Sequence, residues 1–318
     1  MLYQILKNTS RRIPDKVAAV YDNRAYTYKE LLLLTDKMAA SLLNLGLKKG
    51  DRLAFYLYNC PEIIISYFAC FKIGVTVIPI NYRLKEDEAH YIIDHSQPKV
   101  LISQKSLFCR IAENMAELPS VECSYLIDSE GEFANTLPFS DLLHPAESPS
   151  DYSEIPGDRD AVVLYTSGTT GRPKGAVLAH DQMMIHTTSH CELVGYSSDD
   201  KTLVCLALSN NFAFSHQMLS ALYAGATLEI NAAWQRLDLK DLHIRQALDA
   251  GVVFMLNADA HSTGGLKQMS YGVTTARRGR IIGRCRYAIQ RARRQDNAQQ
   301  KAAASASHDT APRNEIDS

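Results

Sequence analysis

Residues 164–180 read LYTSGTTGRPKGAVLAH, and this stretch decides the fold. Its apolar start predicts a strand. A loop follows with three glycines, the hydroxyl groups of Ser167, Thr169 and Thr170, and the ammonium group of Lys174. Glycine adopts positive φ angles at low cost, so successive backbone N–H groups can converge on an anion. This chemistry suits a polyphosphate, although the spacing is not that of the G-x-x-x-x-G-K-[ST] loop. The alternative is a flexible surface loop between strands.

Strand-like and helical segments alternate along the first 230 residues. Thr27 and Glu30 have the spacing of a capping box, and they predict a helix that runs to about Leu45, with Gly46 as its C-cap. Such alternation indicates an α/β fold of mostly parallel sheets flanked by helices. Further helices are predicted from 61 and over 86–95, 105–117, 180–194 and 212–223, and strands over 52–58, 75–80, 99–103, 121–127, 161–166, 202–207 and 226–231.

The chain of 318 residues has a formal net charge of −1, with 46% apolar and 22% charged residues, which is the composition of a globular protein. This balance excludes a generally basic nucleic-acid-binding protein. The charge is unevenly distributed, because residues 262–318 contain 11 Lys and Arg against 4 Asp and Glu, a net +7, so that residues 1–261 carry −8. A change of sign between regions indicates that they have different roles or origins.

The sequence contains no run of about 18 apolar residues, so no membrane-spanning helix is predicted. The N-terminal stretch MLYQILKNTSRRIPDK is not expected to be a signal peptide, because its apolar start is short and basic residues follow it. The seven cysteines form no C-x-x-C pair, and most lie in apolar segments. They are interpreted as buried thiols in a cytoplasmic, reducing compartment. The sequence leaves the oligomeric state open.

The stretch 164–180 resembles the phosphate-loop signature of the acyl-adenylate-forming superfamily, which includes the acyl-CoA synthetases. The resemblance covers about 10–228, through PDKVAA at 14–19, YTYKEL at 26–31, LGLKKGDRLA at 45–54, NCPE at 59–62 and KIGVTVIPINYRL at 72–84. It implies that ATP, with Mg²⁺, and a carboxylic acid form an acyl-adenylate and pyrophosphate, before coenzyme A takes the acyl group. It also implies a set of phosphate-binding residues, with Lys174 as the catalytic candidate: Thr166, Ser167, Gly168, Thr169, Thr170, Gly171 and Lys174.

Departures from the family's pattern lie downstream of this loop. Ala207 and Asn210 stand where the family usually has proline and histidine, which affects the packing of the acyl pocket. Residues 271–275 (YGVTT) mimic Tyr-Gly-x-Thr-Glu, but Thr275 lacks the carboxylate that helps to hold Mg²⁺, so this motif is not recognised either. The family's adenine-binding, ribose-binding and C-terminal lid motifs are not recognised. The resemblance therefore implies a truncated acid–CoA ligase of weak or no activity, with a fatty or aryl acid as its substrate.

Asp259 and His261 lie two residues apart at the end of an apolar segment, so their side chains can point the same way. A carboxylate and an imidazole suit Zn²⁺ or Mn²⁺, and the alternative is a strand-end cap beside a surface histidine. The surrounding residues 228–279 resemble the C-terminal end of the PHP (polymerase and histidinol phosphatase) domain of bacterial family X DNA polymerases. The resemblance implies that Asp259 and His261 are metal ligands.

Three parts are therefore expected: a partial AMP-binding domain at 1–228, a PHP-like fragment at 229–279 and a basic, disordered tail at 280–318. The main functional hypothesis is ATP-dependent activation of a carboxylic acid for transfer to coenzyme A. The alternatives are a metal-dependent phosphoesterase or DNA-repair accessory fragment, and a non-catalytic chimeric remnant. The stretch 277–294 has eight arginines and no acidic residue, and it is interpreted as solvated rather than as a nucleic-acid-binding surface.

Overall fold

The structure is a computed structural model that describes residues 1–129, 133, 135–146, 155–166, 172–204 and 206–230. Its α-helices are α1 (Tyr3–Arg12), α2 (Tyr28–Asn44), α3 (Pro61–Ile73), α4 (Glu86–Ser96), α5 (Lys105–Phe108), α6 (His180–Val194) and α7 (Ser220–Ala224). Its strands are β1 (Val17–Tyr21), β2 (Arg24–Thr27), β3 (Arg52–Tyr56), β4 (Thr76–Ile80), β5 (Val100–Ser103), β6 (Cys123–Leu126), β7 (Thr136–Pro138), β8 (Asp160–Thr166), β9 (Lys174–Ala179), β10 (Lys201–Val204) and β11 (Thr227–Ile230). A π-helical segment, Phe212–Leu219, runs directly into α7, and two 3₁₀ segments span Ala112–Glu117 and Phe139–Leu143.

The strands form two sheets. A seven-stranded sheet has the order β7-β6-β5-β3-β4-β8-β9, and a four-stranded sheet has the order β10-β11-β1-β2. Neighbouring strands pair in parallel, except for the antiparallel pairs β8–β9 and β1–β2. The predicted architecture of mostly parallel sheets flanked by helices is thereby confirmed.

Alternate side chains of β3 enter two different hydrophobic cores. Leu53 and Phe55 belong to the larger core, which also contains buried side chains of α2 and α3. Ala54 and Tyr56 belong to the smaller core, together with Ile92 of α4. Because successive residues of a strand point to opposite faces of the sheet, the seven-stranded sheet is covered on both faces. This double burial explains why its central strands are almost continuously apolar.

Helix α3 lies within the larger core. Eleven of its 13 residues are buried, and Tyr67 and Phe71 are fully inaccessible to solvent. Pro61 occupies the first turn, where its missing N–H costs nothing, and Gly74 ends the helix with a φ of +74°. The apolar run at 63–71 is therefore a core helix. Among the residues that the structure describes, no helix is long and apolar enough to cross a membrane.

The predicted capping box at the start of α2 is confirmed. The Glu30 backbone N–H donates to the Thr27 hydroxyl at 3.1 Å, and the Thr27 N–H donates to the Glu30 carboxylate at 2.7 Å. The next residue, Tyr28, is buried, and its hydroxyl donates to the Ala226 carbonyl at 2.6 Å. The helix ends at Asn44, and Gly46 follows with a φ of +86°. A side-chain cap thus sets the first end of this helix and a glycine in the left-handed conformation follows the second, while Tyr28 joins the helix to the residue that precedes β11.

The structure differs from the sequence prediction over residues 105–117. A single helix was predicted there, but α5 stops at Phe108 and a separate 3₁₀ segment covers Ala112–Glu117. None of the six residues of the 3₁₀ segment is buried, whereas Ile111 and Leu118 on either side of it are. The segment therefore lacks the buried face that stabilises an α-helix in a folded protein. The elements α1, β1, β2, β7 and β9 were also not predicted.

Candidate functional site

The glycine- and hydroxyl-rich loop connects the two strands of an antiparallel hairpin, β8–β9. Thr166, the last residue of β8, pairs directly with Lys174, the first residue of β9, and both are exposed. The structure thus brings together two of the seven predicted phosphate-binding residues, a hydroxyl and an ammonium group. The other five lie outside the described residues: Ser167, Gly168, Thr169, Thr170 and Gly171. This hairpin was missed by the sequence analysis, which placed residues 174–179 in the loop.

Gly175 is required by close packing inside the hairpin. A Cβ atom at this position would lie 2.8 Å from Cγ1 of Val163 and 3.3 Å from Cζ of Tyr165. Tyr165 is the cross-strand partner of Gly175, so the tyrosine ring lies over the space that a side chain would fill. The third glycine of the loop sequence therefore serves packing, because it lets the ring of Tyr165 lie against β9.

Helix α4 contacts the hairpin on both sides of the loop. On one side, the Tyr165 hydroxyl and Nδ1 of His95 are 2.7 Å apart, with their rings nearly perpendicular. On the other side, the guanidinium of Arg172 lies 5.3 Å from the ring centroid of Tyr91. The rings of Tyr91 and His95 are themselves neighbours, with centroids 5.5 Å apart. Sequence reasoning did not identify Tyr91 or His95, because nothing in the local pattern of α4 distinguishes them from other surface residues.

Burial raises the pKa of the Tyr165 hydroxyl, and the neighbouring Tyr91 adds to this rise, while Arg52 and a hydrogen bond from Ser96 oppose it. The hydroxyl therefore stays protonated at neutral pH and is available as a hydrogen-bond donor. Since Nδ1 of His95 lies within hydrogen-bond distance, the tyrosine can donate to the imidazole.

The base of the hairpin is anchored in the seven-stranded sheet. Val162 of β8 pairs with Val77 of β4, and the Thr76 hydroxyl donates to the Asp160 carbonyl at 3.2 Å. At the other end of β9, His180 begins α6 with no exposed surface. The hairpin therefore extends from a buried base to an exposed end, and the exposed end carries the predicted phosphate-binding residues.

Residues 206–210, which include the two departures from the family's pattern, are held by the NCPE segment. The predicted strand 202–207 ends at Val204 in the structure. Beyond it, the amide of Asn59 donates to the Leu206 carbonyl, and its oxygen accepts from the Leu208 N–H, both at 2.8 Å. Ala207 is buried in the smaller core, and the Asn210 side chain accepts from the Phe212 N–H at 2.9 Å. Two side-chain amides thus shape this stretch.

Three histidines lie together on α6 and the π-helical segment. The ring centroid of His216 is 4.5 Å from that of His186 and 4.6 Å from that of His190. Burial, together with the two neighbouring imidazoles, lowers the pKa of His216 to about 4. In the described ranges, no group of three or more His, Cys, Asp or Glu side chains is placed to hold a metal ion. The predicted metal ligands Asp259 and His261 lie outside those ranges.

Comparison with known proteins shows which family and which curated proteins the chain resembles. The sequence model of the AMP-binding enzyme family matches residues 6–257. Bacillus licheniformis 2-succinylbenzoate–CoA ligase is 29% identical over 238 residues, which cover 74% of this chain and 45% of that protein. Escherichia coli K12 medium-chain fatty-acid–CoA ligase is 28% identical over 226 residues, which cover 69% of this chain and 40% of that protein. The chain thus spans less than half the length of these curated relatives.

Solved structures share the fold. The N-terminal subdomain of Klebsiella oxytoca NpsA, in complex with 3-hydroxybenzoyl-AMSN, has a TM-score of 0.62 and 28% identity, over 79% of this chain and 58% of that one. The family match continues past residue 228 and ends within the segment 228–279, whose PHP resemblance stays a prediction. With the predicted phosphate-loop string and a family match over most of its length, the chain belongs to the AMP-binding enzyme family.

Proposed function

We propose that the chain carries the phosphate-binding part of an ATP-dependent acid–CoA ligase, which activates a fatty or aryl acid as its acyl-adenylate and transfers it to coenzyme A. The observation that carries this proposal is the pairing of Thr166 with Lys174 at the exposed end of the β8–β9 hairpin. A hydroxyl and a cation therefore flank the glycine- and hydroxyl-rich loop sequence. Membership of the AMP-binding family supports the proposal, as do relatives that are themselves named CoA ligases.

The donor chemistry of the hairpin fits the phosphates of ATP. Thr166 and Lys174 would hold them together with the loop residues 167–171. When the acid attacks the α-phosphate, negative charge grows on the departing pyrophosphate, and an ammonium group with backbone N–H donors stabilises that charge in place. Mg²⁺, when bound with ATP, supplies further neutralisation of the phosphate charge. Lys174 is thus proposed to favour departure of pyrophosphate, and coenzyme A to receive the acyl group.

Replacing Lys174 with alanine is expected to weaken binding of inorganic pyrophosphate by the full chain about tenfold, since a charge-assisted hydrogen bond contributes about 1.5 kcal/mol or more. Isothermal titration calorimetry at low ionic strength, where charge pairs are least screened, measures this change. The matched control is Lys29→Ala, which removes another exposed lysine, from α2, and is expected to leave the affinity unchanged. Equal affinities for wild type and Lys174→Ala, or no binding by the wild type, would contradict the proposed function.

We also propose the division of the chain into an AMP-binding part at 1–228, a PHP-like part at 229–279 and a basic tail at 280–318. The proposal rests on the resemblance of residues 228–279, with Asp259 and His261 as ligands of Zn²⁺ or Mn²⁺. Metal analysis of the purified chain is expected to find one of these ions in stoichiometric amount, and Asp259→Ala is expected to lose it. The control, Asp249→Ala, is expected to retain it. A metal-free wild-type protein would eliminate this second site.

A further inference from the structure

Two side chains of α4 contact the chain on either side of the loop sequence that Thr166 and Lys174 flank. Tyr165 precedes Thr166 and contacts His95, while Arg172, two residues before Lys174, lies over the ring of Tyr91. These contacts bracket the loop sequence, and both come from the same helix one turn apart. Both ends of the loop sequence therefore lie against one helix outside the hairpin.

The hairpin has limited support of its own at this end. Within the part of the chain that the structure describes, β9 pairs only with β8, so it forms an edge of the seven-stranded sheet. The described pairing of β8 with β4 is at Val162, near the base of the hairpin and four residues before Thr166. The exposed end of the hairpin thus extends beyond the residues of β8 that pair with β4. At this end we expect contacts from α4 to have the largest effect on the position of the strands.

The four side chains form a continuous series of contacts between α4 and the hairpin. Arg172 lies 5.3 Å from the Tyr91 centroid, the Tyr91 and His95 centroids are 5.5 Å apart, and His95 bonds the Tyr165 hydroxyl at 2.7 Å. The ring of Tyr165 then lies over Gly175, next to Lys174. These contacts therefore connect α4 to the chain on both sides of the loop sequence.

On this geometry we propose that Tyr91 and His95 are positioning residues for the β8–β9 hairpin and its predicted phosphate-binding residues. They act through Arg172 and Tyr165 and set the distance between Thr166 and Lys174 before the phosphates bind. Preorganisation of this kind raises affinity because the ligand does not have to order the loop ends itself. The inference rests on the proposed function, since it assigns a role in the binding of the same phosphates.

The test is a double-mutant cycle read out as the Kd of inorganic pyrophosphate, with the full chain. His95→Ala and Tyr165→Phe are each expected to weaken binding about three- to tenfold, the range that corresponds to one hydrogen bond. The double variant is expected to bind no more weakly than His95→Ala alone, because Tyr165→Phe breaks a hydrogen bond that His95→Ala has already removed. Tyr91→Leu is expected to weaken binding about threefold, while Tyr91→Phe retains wild-type affinity, because it keeps the aromatic face under Arg172.

The matched control is His144→Ala, which removes another exposed histidine with a single hydrogen bond, from Nδ1 to the Ser140 carbonyl at 2.9 Å. It is expected to leave the Kd unchanged. Additive effects of His95→Ala and Tyr165→Phe would overturn the proposal, as would tighter binding by Tyr91→Leu, which would mean that the ring withholds Arg172 from the ligand. If the wild type does not bind pyrophosphate, the proposed function itself is wrong. If Lys174→Ala weakens binding and the α4 variants do not, only the positioning role is wrong.

Discussion

Replacing Tyr67 with alanine is expected to lower the free energy of unfolding by about 3–5 kcal/mol, the cost of removing a large aromatic side chain from a packed core. Tyr67 is fully buried on α3, where its ring stacks on Phe214 at 4.6 Å and meets Phe55 edge-on at 5.1 Å. Its hydroxyl donates to the Leu208 carbonyl at 3.1 Å. The Tyr67 side chain thus joins α3 to β3 of the seven-stranded sheet and to the segment that precedes and enters the π-helix.

Urea unfolding followed by circular dichroism measures this loss for Tyr67→Ala. Tyr67→Phe keeps the ring contacts and removes one hydrogen bond, so it is expected to cost only about 1 kcal/mol. The control is Tyr223→Ala, because Tyr223 is 39% exposed and its truncation creates no buried cavity. If Tyr67→Ala cost no more than Tyr223→Ala, the packing of α3 against the 206–216 region would have to be different from that described.

Acidification is expected to destabilise the fold through His180. This residue has no exposed surface, its ring packs edge-on against Phe71 at 5.3 Å, and neither ring nitrogen has a hydrogen-bond partner. Burial, with a smaller contribution from the N-terminal ammonium group and against the opposing charge of Asp181, lowers the pKa of His180 to about 4. The unfolded chain, with a histidine pKa of about 6.5, therefore binds the proton more tightly than the folded chain.

The sign of the effect follows from this difference in proton affinity. Above about pH 6.5 the histidine is neutral in both states and the free energy of unfolding is unaffected. As the pH falls from there towards 4, stability declines, by about 3 kcal/mol in total for a fully buried group. The His180→Leu variant, which cannot titrate, is expected to lose this part of the pH dependence. Urea unfolding at pH 7 and at pH 4.5 tests it.

The matched control for that experiment is His144→Leu, which removes an exposed histidine and is expected to keep the wild-type pH dependence. Carboxylates titrate in all three proteins. The difference in pH dependence of the free energy of unfolding between His180→Leu and wild type therefore reports the contribution of His180 alone. Burial also lowers the pKa of His216 and of His190, so part of the pH dependence is expected to remain in His180→Leu. An equal loss of unfolding free energy between pH 7 and pH 4.5 in His180→Leu and wild type would contradict the prediction.

Elements whose signals are local could be predicted from the sequence. The bounds of α6, His180–Val194, agree with the predicted helix, and Gly195 ends it in the left-handed conformation. The capping box of Thr27 and Glu30 likewise needs only residues within one turn. By contrast, β9 was predicted as loop because it follows the glycine-rich stretch, and its strand conformation comes from pairing with β8. Helix α1 was also missed, although its Leu6 is fully buried in the larger core.

The candidate site also has one part that could be predicted from the sequence and another that could not. The string at 164–180 predicted phosphate-binding chemistry, and its residue types sufficed for that, but the pairing of Thr166 with Lys174 depends on the register of the hairpin. Tyr91 and His95 could not have been predicted, because His95 lies 70 positions before its partner Tyr165 in the sequence. Such contacts depend on how β4 and β8 bring α4 beside the hairpin, which is a property of the whole sheet.

The pairing of β1 with β11 has a consequence for the order of events during synthesis. Ala19 pairs with Leu228, so the first strand made must wait for about 200 more residues before one of its two neighbours exists. At about 5–20 residues per second, that wait lasts roughly 10 to 40 s. During this time one edge of β1 lacks its native partner, and an unpaired edge is a template for association between chains. Binding of a chaperone to the nascent N-terminal part is therefore expected to raise the yield of folded protein.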